Sequence, residues 1–250
     1  MLSRASSTLA DAVETFARGY ASTRSFTHPY VADRLGAVWV TRDAPRKSGA
    51  YRREEWISCI LQPAEIDSIA RQQTRGRYAI CVILRDGVPD DRLRQEFKEL
   101  GYRLASTEAV MVHQLAEVPP AASPVSIERV TDEPTATRLK TAAGSRQILP
   151  KHLNSDAELR QYIAAADGDL VGWVRSVVVG DRTWVSNLSV KPAYRRRGIA
   201  RAMLCRMLRD DLSTGSKMSV LTASHAGALL YPRVGYARIG TLYLYTPKKT

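Results

Sequence analysis

An α/β fold arranged as two consecutive domains is the architecture the sequence predicts, and three observations carry it. Runs of β-branched and aromatic residues alternate with segments of helical periodicity in both halves of the chain. The alternation is interrupted at Glu117-Val-Pro-Pro-Ala-Ala-Ser-Pro124, whose three prolines and lack of periodicity read as an extended linker. The 250 residues suit two units of roughly 120 each. The expected domains are therefore residues 1–120 and 121–250.

The opening MLSRASSTLADAVETFARGY carries Asp11 and Glu14 and lacks the apolar core of a secretory signal, so an amphipathic helix is expected there. Gly36–Thr41 and Tyr78–Leu84 have strand composition. Between them Pro63 opens a helix, with acids in its first turns and Gly76 beyond its end. A second helix runs from about Asp90 to Leu100, stopped by Gly101, and Met111-Val-His-Gln-Leu is the last strand of this half. After the linker, Val125–Val130 reads as a strand and the stretches 133–143 and 155–165 as helices. Asp169–Val179, Thr183–Val190 and Met218–Ala223 are strands, the last of them preceded by a helix.

Composition narrows the function classes. With 44% hydrophobic and 25% charged residues the chain is expected to build an ordinary packed core, and no apolar run approaches the roughly 18 residues of a membrane helix. Cys59, Cys81 and Cys205 show neither a disulfide framework nor a metal-ligand spacing, so a cytoplasmic protein without a metal is expected. The net charge of +12 is unevenly placed. Residues 1–120 carry 17 Lys+Arg against 15 Asp+Glu, and residues 121–250 carry 20 against 10. The excess gathers at Lys191, Arg195, Arg196, Arg197, Arg201, Arg206 and Arg209, a pattern suited to a compact polyanion. Recognition-helix and aromatic-platform signals are missing, so nucleic acid is not the expected partner.

The chemistry concentrates where a strand ending at Val190 meets a helix. Pro192 turns the chain, Arg195–Gly198 form a short loop, and Ile199, Met203, Leu204, Met207, Leu208 and Leu212 then recur on one helical face. The N–H groups at such a helix start lack internal partners and the macrodipole is positive there, so a pyrophosphate can be held largely by main chain. Gly198 removes a Cβ from the approach, and the small Ala200 leaves room one position inside the helix.

Arg195-Arg-Arg-Gly-Ile-Ala200 resembles the acyl-CoA pyrophosphate loop, R/Q-x-x-G-x-G/A, of the GNAT N-acetyltransferase superfamily. Leu188-Ser-Val-Lys-Pro resembles the family's cofactor strand and Leu170-Val-Gly-Trp the strand before it, and Ala226-Gly-Ala-Leu-Leu-Tyr-Pro-Arg-Val-Gly-Tyr236 resembles its A-x-x-L-Y-x-x-x-G-F signature. The resemblance covers roughly residues 125–250. It implies a GNAT acyl-CoA N-acyltransferase fold, an α/β mixed sheet, with an additional N-terminal α/β domain that resembles a degenerate second copy in its Gly-Tyr-Arg-Leu and final strand.

The same resemblance implies site residues. The main chain of Leu188, Ser189 and Val190 pairs with the pantetheine arm of acetyl-CoA, the cosubstrate. Arg195, Arg196, Arg197, Gly198, Ile199, Ala200 and Arg201 cradle its pyrophosphate, Ser224 stands where many members carry a cofactor-binding Asn, and Tyr231 stands where the family places the general acid. A phenol suits that role because the leaving thiolate must gain a proton; the plainer alternative is an aromatic packed on a helix face.

The general base is the departure from the family. Trp184–Val190 and Met218–Ala223 contain no acid, which leaves a water chain to a carbonyl, His225, His152 or Glu108 as candidates. The expected reaction is direct attack of an amine on the thioester, the acceptor being a small molecule or, next, a peptide amine. It enters between the segments of residues 133–165 and the N-terminal half. The missing base also admits a rival, an acyl-CoA-binding regulatory module without turnover.

Overall fold

In a computed structural model that describes residues 2–47 and 49–248, the chain forms two units that do not follow it as two consecutive halves. One comprises the residues up to Met111 together with Thr222–Ala228 and the chain from Arg238 on. The other comprises Val112–Leu221 and Leu229–Ala237.

The first unit contains α1 (Leu2–Arg24), β1 (Tyr30–Leu35), β2 (Val38–Asp43), β3 (Glu54–Ser58), α2 (Pro63–Gln73), β4 (Tyr78–Arg85), α3 (Asp91–Glu99) and β5 (Tyr102–His113). Leu9, Ala12, Val13, Phe16, Ala17 and Ala21 are buried at helical spacing, which is why the opening segment holds its helix. Its strand order is β1-β2-β3-β4, then the chain's last strand, then β5. The strands β3 and β4 run parallel, with α2 as their crossover. Trp56, Ile66, Ile80, Phe97, Tyr102, Tyr243 and Tyr245 pack together in its core.

β1 and β3 were not anticipated from the sequence. The Glu54-Glu55 pair at the head of β3 looks like surface, yet both side chains are buried because each has partners built for it. Arg75 Nε and Thr74 Oγ1 bond Glu54, while Tyr20, Tyr30, Thr41 and Arg53 donate to Glu55.

The second unit contains β6 (Ser126–Arg129), α4 (Glu133–Ala143), β7 (Leu159–Ala166), β8 (Asp169–Val179), β9 (Arg182–Val190), α5 (Ile199–Ser213) and β10 (Met218–Ala223) in the order β10-β9-β8-β7-β6. α6 (His225–Ala228) and a 3₁₀ turn (Tyr231–Val234) then lead into β11 (Ala237–Pro247), which lies between β4 and β5 of the first unit. The helix expected over 155–165 is a correction: the segment is β7, paired antiparallel with β6 and β8. Residues 159–164 are all buried, so no apolar–polar alternation betrays the strand, and three alanines mimic a helical composition.

The two units repeat one theme. In each, antiparallel strands lead to a parallel pair joined by a helix, β3-α2-β4 and β9-α5-β10. Phe97 and Tyr102, flanking Gly101, stand edge to face at 5.6 Å; Tyr231 and Tyr236, flanking Gly235, do so at the same distance. α5 packs its apolar face on β7, β8 and β9. Gly172 permits that approach, because a Cβ there would stand 2.9 Å from Met203 Cε and 3.0 Å from the Ser189 carbonyl oxygen.

Candidate active site

β9 and β10 share only three rungs, Arg182↔Met218 to Trp184↔Val220. Beyond them β9 runs on to Val190 beside β8 alone, with Trp173 opposite Ser189 and Gly172 opposite Val190. A β-bulge marks the change: Asn187 and Leu188 face the single Val174, and Asn187 takes a left-handed φ of 56°. The half-buried Leu188, Ser189 and Val190 therefore follow a bulge that bends β9, on a stretch with no rung to β10.

The chain then turns through Pro192–Tyr194, and Arg195 Nε donates back to the Val190 carbonyl oxygen at 3.0 Å. Arg196 and Gly198 have φ of 63° and 83° with Arg197 between them outside that region, the alternation that shapes an anion-holding backbone concavity. A Cβ on Gly198 would meet nothing within 4 Å, so backbone conformation and not packing demands glycine here. The bond from the Ala202 N–H to the Gly198 carbonyl oxygen, 3.0 Å, fixes where α5 begins. The N–H groups of Gly198, Ile199, Ala200 and Arg201 thus lie in the helix's unsatisfied first turn. Arg195, Arg196, Arg197 and Arg201 are exposed around it, Arg197 stacked on the Tyr194 ring at 5.3 Å and Arg201 donating to the Pro120 carbonyl oxygen. Ile199 is buried and Ala200 half-buried. The contrast with α2 is informative: there Glu65 folds back to accept the Gln62 N–H at 2.8 Å, so that helix start is capped by its own side chain. An acyl-CoA fits the α5 start by its exposed cations, its open first turn and the space where no Cβ stands.

Tyr231 is 8% exposed, and burial pushes its hydroxyl up to about 12. Its ring stands edge to face with Tyr236, whose hydroxyl bonds Ser219 Oγ at 2.8 Å. Behind Tyr236 lies His113, a residue the sequence did not single out. Its Nδ1 accepts the Leu115 N–H at 3.0 Å, its ring bonds the Val234 backbone, and burial holds it below the usual histidine range. His113 also explains the glycine of the signature. A Cβ on Gly235, φ 96°, would stand 2.6 Å from His113 Nε2. Gly235→Ala is expected to destabilise the protein by about 2 kcal/mol through strain at that φ and the displaced ring, read from chemical denaturation; an unchanged midpoint would refute the clash.

Ser224 is exposed, and its Oγ accepts the Gly227 N–H at 3.3 Å, which caps α6. Among the base candidates His225 is exposed and Glu108 half-buried on β5. His152 is lowered to about 4 by burial and by Lys151 and Arg175, so it is neutral at pH 7 but a weak proton acceptor. No group of three or more His, Cys, Asp or Glu among the described residues is arranged to hold a metal, and no described helix is long and apolar enough to cross a membrane.

Sequence reasoning also missed a polar cluster at the bulge. Arg175, opposite Ser186 on β8, and Asn187 both donate to the same Gln147 Oε1. The sequence held one signal of it: Gly144–Asn154 contains Arg146, Lys151 and His152 and no acid.

Residues 158–238 match the family model of the Acetyltransferase (GNAT) domain. A GCN5-related N-acetyltransferase from Kribbella flavida is similar over 95% of this chain and 96% of its own, with a TM-score of 0.62 at 14% identity. One from Sphaerobacter thermophilus aligns over 84% and 76% with a TM-score of 0.56 at 20% identity. A GNAT-family acetyltransferase from Novosphingobium aromaticivorans aligns over 95% and 97% with a TM-score of 0.54 at 15% identity. At these identities the likeness establishes the fold. None of the curated proteins matches the chain.

Proposed function

We propose that the chain, whose residues 158–238 match the Acetyltransferase (GNAT) domain model, is an acyl-CoA-dependent N-acyltransferase that passes an acetyl group from acetyl-CoA to an amine. The observation that carries the proposal is the junction of β9 and α5, where a strand that has parted from its neighbour leads directly into an open, arginine-rimmed helix start. The main chain of Leu188, Ser189 and Val190 pairs with the pantetheine arm as an added strand. Arg195 to Arg201, through their N–H groups and guanidinium groups, hold the pyrophosphate, and Ser224 supplies a further polar contact.

The acceptor nitrogen, as the neutral amine, attacks the thioester carbonyl carbon; the C–N bond forms, the C–S bond breaks, and the proton that the nitrogen sheds on becoming an amide balances the one that the thiolate takes up. Tyr231 serves the last step. Its hydroxyl, at about 12, lies well above the roughly 8.5 of a simple thiol, so full transfer runs uphill and the phenol works chiefly as a hydrogen-bond donor to sulfur as charge develops there. Tyr231→Phe is expected to lower kcat by about 10²-fold with acetyl-CoA affinity unchanged, measured by thiol release; a wild-type kcat would remove Tyr231 from the mechanism.

Calorimetric titration with acetyl-CoA tests the reading itself: one saturable site supports it, and no binding by folded protein refutes it. A second reading, an acyl-CoA-binding module without turnover, is favoured by the lack of any acid in Trp184–Val190 and β10 together with the weak basicity of His152. Release of thiol dependent on an added amine distinguishes the two. The protein is expected to act in the cytoplasm.

A further inference from the structure

A recess opens beside the start of α5, lined wholly by residues of the second unit. Its volume is about 370 Å³, within the roughly 300–1,000 Å³ of small-ligand clefts, and Arg197 and Ile199 of the α5 start are among its walls. Val125, Ala165 and the buried Ile199 give it an apolar lining. The half-buried Tyr194 lines it as well, with the Arg197 guanidinium over its ring at 5.3 Å from the centroid.

The remaining polar group is Asp167. Asp167 and Gly168, with φ of 50° and 84°, make the two-residue turn between β7 and β8, which fixes the Asp167 backbone at the edge of the recess. Its exposed carboxylate has no hydrogen bond or ion pair among the described residues, and the Tyr194 hydroxyl has none either. An apolar space bounded by a ring and a guanidinium in contact suits a planar heterocycle, which stacks on aromatic and arginine planes alike. A carboxylate beside that pair suits a base with an exocyclic amino group, as adenine has at N6. Because the recess shares Arg197 and Ile199 with the α5 start, a molecule whose pyrophosphate lies a few bonds from its base spans both.

We propose that this recess takes the adenine ring of the donor, its face against the Tyr194 and Arg197 pair and its amino group donating to Asp167. The inference rests on the acetyltransferase reading and deepens it. Tyr194 and Asp167 become determinants of donor specificity, selecting a thioester carried on a complete nucleotide over one carried on phosphopantetheine alone.

Calorimetric titration compares acetyl-CoA, its analogue with hypoxanthine in place of adenine, and acetyl-phosphopantetheine, which ends before the nucleoside. In Tyr194→Ala acetyl-CoA is expected to bind about tenfold more weakly, with the affinity for acetyl-phosphopantetheine unchanged; Tyr194→Phe is expected to keep wild-type affinity for both. The wild type is expected to hold acetyl-CoA about fivefold more tightly than the hypoxanthine analogue. Asp167→Gly, which suits the left-handed φ, is expected to hold the two equally. Undiminished acetyl-CoA binding by Tyr194→Ala, an equal loss for both thioesters, or equal binding of the two bases by the wild type would each overturn the inference while leaving cofactor use intact. A folded wild type that binds none of the three would instead sink the parent reading. Should Tyr194→Ala fail to fold, or acetyl-phosphopantetheine bind too weakly to measure, the two bases on the wild type and on Asp167→Gly decide the matter.

Discussion

Gly198→Glu is expected to abolish measurable acetyl-CoA binding, raising Kd by more than about 10²-fold, while the protein remains folded. Glutamate in the left-handed region costs about 1–2 kcal/mol, but a carboxylate at a helix N-terminus returns about 0.3–1 kcal/mol, and a Cβ there meets no atom within 4 Å. The fold is therefore little disturbed. Binding is disturbed because the new carboxylate sits among Arg195, Arg196, Arg197 and Arg201, where it neutralises the field a pyrophosphate needs and fills the space that the missing Cβ leaves. Gly198→Ala, which adds strain and bulk without charge, is expected to weaken binding much less. Those arginines are exposed, so wild-type affinity should also fall as salt rises, with screening over about 10 Å at 0.1 M ionic strength. Saturable binding by Gly198→Glu with wild-type Kd would place the pyrophosphate somewhere other than the start of α5.

The contrast between what local sequence announced and what it concealed has a physical basis at each element. The α5 junction was legible because its signals are local: a glycine needed for a positive φ, a cluster of arginines and apolar residues at helical spacing. α2 and α3 were legible for the same reason, through Pro63 and Gly101. β7 was not, since burial on both faces removes the period of two by which a strand is recognised. β3 was hidden by Glu54 and Glu55, whose partners Arg75, Tyr20, Tyr30 and Thr41 are distant in the chain. The return of β11 to lie between β4 and β5 is a long-range pairing with no local signature. At the site, the loop residues could be named from the sequence. The Arg175, Gln147 and Asn187 cluster could not, because a bulge and an irregular segment bring those three together.

Asp211→Ala is expected to destabilise the protein by about 3 kcal/mol at pH 7, a fall in melting temperature of about 6–12 °C for a chain of this size. Asp211 is fully buried on α5 and ties that helix to the sheet. Ser176 Oγ donates to both its oxygens at 3.0 and 2.9 Å, Thr183 Oγ1 donates at 3.0 Å, and Arg160, itself 4% exposed, lies 3.5 Å away. Alanine leaves a buried guanidinium without its carboxylate and two buried hydroxyls without their acceptor. The pH dependence identifies the cause. Burial pushes the Asp211 carboxyl up to about 6, against the opposing pull of Arg160, Ser176 and Thr183, so the folded state holds this proton more tightly than the unfolded chain does. Between about pH 4 and 6 the native state then carries the extra proton, and the group's contribution to stability falls as pH rises through that window. The variant has no such loss. Its deficit relative to the wild type should accordingly be about 1 kcal/mol larger at pH 5 than at pH 7, measured by urea unfolding at both. A deficit independent of pH would mean that Asp211 is ionised throughout and that Arg160 outweighs burial; no deficit at all would mean that α5 is held by its apolar face alone.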